Sequence, residues 1–154
     1  MSSRQPTLLI VAVVCALAAS SVATGYARMP ADPCKLLTSA QVTAALGTAV
    51  GAAESITSDN TACKWQTPKP PTQMVTLQVL PAERVFTDKT VVGQKKTSVS
   101  GLGDESVSGV LGAWKVLSVK KGAIAFTLKV YGVKDLDKQA AIEKELAVEV
   151  LAKL

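Results

Sequence analysis

From Ala123 to Tyr131 the side chains change character at every step. Ile124, Phe126, Leu128 and Val130 make one side of the run, and Ala125, Thr127, Lys129 and Tyr131 the other. A period of two belongs to a β-strand, and a run with one wholly apolar side needs a sheet with one face buried and the other at least partly wet. Lys120-Lys121-Gly122 separates this run from Ala113–Val119, so the pair reads as a hairpin. Met74–Leu80 alternates in the same way, with Val75, Leu77 and Val79 opposite Thr76, Gln78 and Leu80, and Pro81 ends it. An antiparallel sheet therefore dominates the expected fold. At 154 residues the chain holds one such domain and hardly two.

Helices are expected at both ends of the sheet. Thr38 and Gln41 have the spacing of a capping box, Leu37 and Val42 that of a hydrophobic staple, and Gly47 is placed to end the helix in the left-handed conformation. Asp137–Leu154 carries Ile142, Leu146, Val150 and Leu154 at i, i+4 spacing, widened by Ala147 and Leu151. Glu143, Glu145 and Glu149 make its middle acidic, which speaks against a membrane-surface helix, and Glu149 and Lys153 are spaced to pair. Between the ends, Ala49–Thr57 and Ala62–Gln66 read as strands. Thr67-Pro68-Lys69-Pro70-Pro71-Thr72 must be a loop, since three prolines do not fit a ladder. Ala82–Thr90 reads as a short helix with Val85, Phe86 and Lys89 on one side, Gly101–Glu105 as a turn, and Ser106–Gly109 as strand. The fold class is α+β: an antiparallel sheet packed against a short N-terminal helix and a C-terminal helix.

The first 23 residues have another character. Arg4 precedes Thr7–Ala19, an uncharged apolar run, and small residues follow. That is the three-part pattern of a secretory signal peptide, shorter than the roughly 20 apolar residues of a membrane span. Cleavage is expected after Ala23, or as late as Ala27, and residues 24–33 read as a short linker before a single domain at 34–154. Cys15 is preceded by Val14 and followed by more apolar residues, so it reads as part of the leader. The remaining cysteines are Cys34 and Cys63. In an oxidising compartment two thiols without a third read as one disulfide, and with no histidine in the chain the pair has no partners for a zinc site.

Asp32-Pro33-Cys34-Lys35-Leu36-Leu37-Thr38, with Val42 and Ala45-Leu46-Gly47, resembles the opening of a family of small exported bacterial proteins and lipoproteins of unknown function, widespread in actinobacteria. Cys63-Lys64-Trp65 and Gly101-Leu102-Gly103-Asp104-Glu105 extend the likeness. The resemblance covers most of residues 32–154. It implies an α+β domain with an antiparallel sheet and a Cys34–Cys63 bridge. Many relatives carry a lipobox and this chain departs from it; the family supplies no activity or catalytic residues.

The complete absence of histidine removes Ser-His and Cys-His pairs, histidine bases and histidine metal ligands together. No Gly-x-Ser-x-Gly elbow or SxxK pair is present. Gly101, Gly103 and Asp104 are candidates for a turn or an anion contact, but the segment lacks the third glycine or the lysine of a phosphate loop. Adjacent Asp104 and Glu105 point to opposite sides of a strand, which is poor geometry for an acid–base pair. Trp65, Trp114 and Phe126 are the candidates for lining a ligand pocket. The net charge is +5, but no two lysines or arginines extend into a longer run, and six aromatic residues are too few for a base-stacking surface, so nucleic acid is not an expected partner. No cofactor and no metal is expected, and membrane attachment only through an uncleaved leader. The expectation is a periplasmic or extracellular, non-enzymatic binding domain for an envelope protein or small ligand. A carrier of a small apolar or amphiphilic ligand, and a histidine-free hydrolase, are the alternatives.

Overall fold

A computed structural model describes residues 32–86 and 96–154. The leader, its cleavage sites, Cys15 and residues 87–95, which include Lys89 and the end of the helix expected over Ala82–Thr90, lie outside those residues. A 3₁₀ turn, Pro33–Lys35, opens the described chain. It is followed by α1 (Ser39–Leu46), β1 (Glu54–Ser55), β2 (Ala62–Gln66), β3 (Met74–Pro81) and α2 (Ala82–Phe86). After the gap come β4 (Thr97–Ser98), β5 (Glu105–Leu111), β6 (Trp114–Lys121), β7 (Ile124–Tyr131) and α3 (Leu136–Leu151). The seven strands form one sheet, every pairing antiparallel, in the order β1-β2-β3-β7-β6-β5-β4. The fold is α+β. Both edges are two-residue strands.

The alternation read in the sequence sets the two faces. Cys63 and Trp65 on β2, Val75, Leu77 and Val79 on β3, and Phe126, Leu128 and Val130 on β7 share the inner face with Leu117 and Val119 of β6. All are buried, and α1 and α3 close over them with Val42, Leu46, Ile142, Leu146, Ala147 and Val150. The capping box is complete: Gln41 N–H donates to Thr38 Oγ1, Thr38 N–H donates to Gln41 Oε1, and Gly47 ends α1 at φ 71°. Cys34 and Cys63 form the disulfide, with Cα atoms 5.2 Å apart, tying the 3₁₀ turn to β2.

Several local expectations change. The strand expected over Ala49–Thr57 shrinks to Glu54–Ser55, although Val50 and Ala53 before it still pack against the core. The last helix starts at Leu136, one residue earlier than expected, because Asp135 caps it by accepting the N–H groups of Asp137 and Lys138. Glu149 and Lys153 do not pair. Glu149 accepts from the Gln41 side chain, joining α3 to α1, while Lys153 Nζ donates to the Lys35 carbonyl. Among the described residues no helix is long and apolar enough to cross a membrane.

Candidate functional site

The outer face of the sheet is half covered. At one end α2 lies across it, and Ala82 and Val85 bury Ala125 of β7. Beneath that end Ser118 and Thr127, on neighbouring strands, satisfy each other at 3.1 Å. The other end has no such cover among the described elements. Register places Gln66 opposite Met74, Met74 opposite Tyr131, and Leu111 opposite Trp114. The Val116–Lys129 pairing carries on to set Trp114 beside Tyr131, and the two rings meet edge to face with centroids 5.0 Å apart. The result is a strip across five strands, Gln66-Met74-Tyr131-Trp114-Leu111. Trp114 keeps 39% and Leu111 41% of its surface in solvent, and the two lie opposite each other across the β5–β6 turn. Lys129 stands one row in from Tyr131 on the same face. A recess of about 390 Å³ beside Trp114 is lined by Ala113, Gly132, Val133 and Lys134.

A second feature lies on the inner face. Glu143 of α3 is fully buried, and neither carboxyl oxygen has a hydrogen-bond partner among the described residues. Desolvation pushes its pKa up to about 8, with the Val130 backbone and the Lys115 ammonium pulling only weakly the other way. At neutral pH this carboxyl carries its proton. It borders a small cleft of about 120 Å³ between α3 and the sheet, shared with Val99, Ser108, Leu117, Ala140 and Lys144. A wider groove of about 410 Å³ shares Val99, Ser108 and Ala140 with it and adds Lys115. No group of three potential metal ligands occurs among the described residues.

The three aromatic candidates are not brought together. Trp65 and Phe126 sit on the inner face with no exposed surface, as core residues, while Trp114 is on the outer face. Gly101, Gly103 and Asp104 form a turn that is tied inward. Asp104 N–H donates to the Lys120 carbonyl at 2.8 Å, and Asp104 Oδ2 accepts the Gly122 N–H at 2.6 Å. The carboxylate thus takes an amide of the β6–β7 turn, and Gly103 presses on the Lys120 backbone. Tyr131, Met74, Leu111 and Glu143 were not singled out by sequence. Alternation had already put Tyr131 on the wetter side, and following the β6–β7 hairpin register would have set Trp114 next to it. Glu143 was read only as part of the acidic middle of the helix, yet Gln139, Glu143, Leu146 and Val150 are spaced by four, three and four, which is one helical face.

No family model matches the sequence, and no curated protein matches it. Among solved structures the chain is similar to a GTP binding regulator from Thermotoga maritima, at 12% identity and a TM-score of 0.40, over 77% of this chain and 87% of the other. A likeness at that level carries no argument about what this chain does.

Proposed function

We propose that the protein is an exported, non-enzymatic binding domain, held by one disulfide, whose contact surface is the end of its outer sheet face that none of the described elements covers. The observation that carries this reading is the Met74-Tyr131-Trp114-Leu111 strip, where Trp114 and Leu111 remain exposed beside half-buried Met74 and Tyr131 on the sheet. The Cys34–Cys63 bridge supports a life in an oxidising compartment. The chemistry available supports binding over turnover. Glu143, the carboxyl with a strongly raised pKa, lies against the core without a second carboxylate among the residues lining its cleft.

The test has two arms. A photo-crosslinking side chain at position 114 should capture an envelope component in the exporting cell, whereas the same group at position 121, at the far end of the sheet, should not. The full-length protein should turn over none of a panel of ester, peptide, glycoside and phosphate substrates. Turnover that disappears in Glu143→Gln would replace the binding reading with an enzyme.

The unpartnered Glu143 favours a second reading, a carrier whose small amphiphilic ligand brings a polar group to the cleft between α3 and the sheet. Native mass spectrometry of protein taken from its own cell envelope would reveal such a ligand as added mass.

A further inference from the structure

The β5–β6 and β6–β7 hairpins turn in the same way and are finished differently. Each turn is Gly-Ala, Gly112-Ala113 and Gly122-Ala123, with positive φ at the glycine (63° and 59°) and not at the alanine. A two-residue turn of this kind needs the glycine and asks nothing of the residues on either side. At the β6–β7 turn the preceding strand ends in Lys120-Lys121. At the β5–β6 turn the flanks are Leu111 and Trp114, and Leu111, Gly112, Ala113 and Trp114 are all exposed. From Ser106 to Trp114 there is no charge. Solvent-facing hairpin tips are ordinarily polar, so this apolar tip is not explained by folding.

Its surroundings are basic. Lys134 lines the recess beside Trp114, Lys129 stands next to Tyr131 on the same face, and Lys69 lies in the loop that follows β2 at this end of the sheet. Asp135 and Asp137 are acids nearby, and Glu54 shares the outer-face row of Lys129, where Lys64 pairs with it at 3.0 Å. Asp135 is occupied in capping α3. The acids Asp59, Glu83, Asp104 and Glu105 gather at the opposite end, mixed with Arg84, Lys120 and Lys121. An uncharged tip carrying Trp and Leu, backed by Tyr and ringed by lysines, matches the profile of a bilayer: acyl chains, then an interface that Trp and Tyr prefer, then anionic headgroups.

We propose that the β5–β6 hairpin tip seats in the interface of an anionic lipid membrane, with Leu111 and Trp114 inserted and Lys129 and Lys134 facing headgroup phosphates. The inference rests on the outer-face contact surface proposed above and names its partner. So small an apolar tip holds weakly by itself, and the lysines supply the second attachment. A leader, cleaved or not, is not required for this contact.

Fluorescence reads the seating directly, because the chain has two tryptophans and Trp65 is fully buried. The full-length protein is titrated with vesicles of phosphatidylcholine alone and of phosphatidylcholine with phosphatidylglycerol. Anionic vesicles should shift the Trp114 emission to the blue, and brominated acyl chains should quench it. Leu111→Ser with Trp114→Phe, which lacks the reporter and is read by co-sedimentation with the same vesicles, should weaken binding about tenfold. Lys129→Gln with Lys134→Gln should weaken it by a similar factor at low salt and remove most of its salt dependence. Unchanged Trp65 emission shows that the variants are folded. Any association driven by the leader is common to all variants and leaves Trp114 unmoved. Equal binding to neutral and anionic vesicles, or binding indifferent to the tip substitutions, overturns the proposal. So does polyglutamate in solution reproducing the blue shift, which would make the partner an acidic polymer. If position 114 still crosslinks an envelope protein while vesicles leave its emission unchanged, the membrane assignment falls and the binding surface stands. Loss of both results removes both.

Discussion

Gln139 and Glu143 lie one turn apart on α3, both fully buried against the same strands, and only one of them is satisfied. Gln139 accepts the Lys115 N–H at 2.7 Å and donates to the carbonyls of Val133 at 2.6 Å and Ala113 at 3.3 Å, so it stitches α3 to both strand ends. Glu143 has no such partners, and its cost therefore depends on pH. An unfolded glutamate titrates near 4.5, and in the fold Glu143 titrates near 8. Between those values the folded chain keeps a proton that the unfolded chain has released. Rising pH therefore favours unfolding, and the loss levels off above the folded pKa. Stability should fall by roughly 2–4 kcal/mol from pH 4.5 to 8 on this account. Glu143→Gln should abolish that slope, matching the native protein near pH 5 and exceeding it at pH 8 in urea denaturation. An unchanged slope in the variant would assign it elsewhere. The glycines of the Gly101–Glu105 turn separate in the same manner. A Cβ on Gly103 would lie 2.2 Å from the Lys120 carbonyl oxygen, at φ 57°, whereas one on Gly101 would meet nothing within 4 Å. Gly103→Ala should cost at least about 2 kcal/mol and Gly101→Ala about 1, measured by the same denaturation.

Among the elements, α1 depends most visibly on a few side chains. Its eight residues are too few to hold a helix in isolation, so the cap and the packing of Val42 and Leu46 must do it. Thr38→Ala should cost about 1 kcal/mol. Gln41→Ala should cost more, since Gln41 both closes the capping box and donates to Glu149 on α3. A double-mutant cycle between Gln41 and Glu149 measures that tie, and a coupling indistinguishable from zero would reduce it to a surface contact. The cap itself was readable from Thr38, Gln41 and Gly47, because capping chemistry is local and spelled within four residues. The bond from Gln41 to Glu149 was not, because it spans 108 positions and was replaced in the reading by the nearer Glu149–Lys153 pair. The candidate pocket failed to assemble for the same reason. Trp65 and Phe126 declare themselves by alternation as inner-face residues, but which face Trp114 takes is decided by the two-residue length of a turn. A one-residue change in register moves every side chain to the other face.

At the scale of the molecule, the order of the strands divides the sheet into two meanders, β1-β2-β3 and β4-β5-β6-β7, joined where β3 lies beside β7. The disulfide ties the 3₁₀ turn to β2 of the first of them, closing a loop between positions 29 apart. Reduction, or Cys34→Ser with Cys63→Ser, should lower stability by about 3–4 kcal/mol in the chain-entropy model, read as a fall in Tm; an unchanged Tm would show that the loop is already confined without it. The sequence announced the strands, the antiparallel class and the two end helices, since periods and caps are local. It was silent on which strands meet at the centre, because the β3–β7 pairing is chosen by the fit of Val75, Leu77 and Val79 against Val130, Leu128 and Phe126. That seam also sets a clock. A chain emerging from its N-terminus, from a ribosome or through a translocation channel, presents β3 long before β7 exists to receive it. Until residues near Tyr131 have emerged, and α3 after them, the first meander waits with its inner face uncovered. The core closes only with the arrival of β7 and α3.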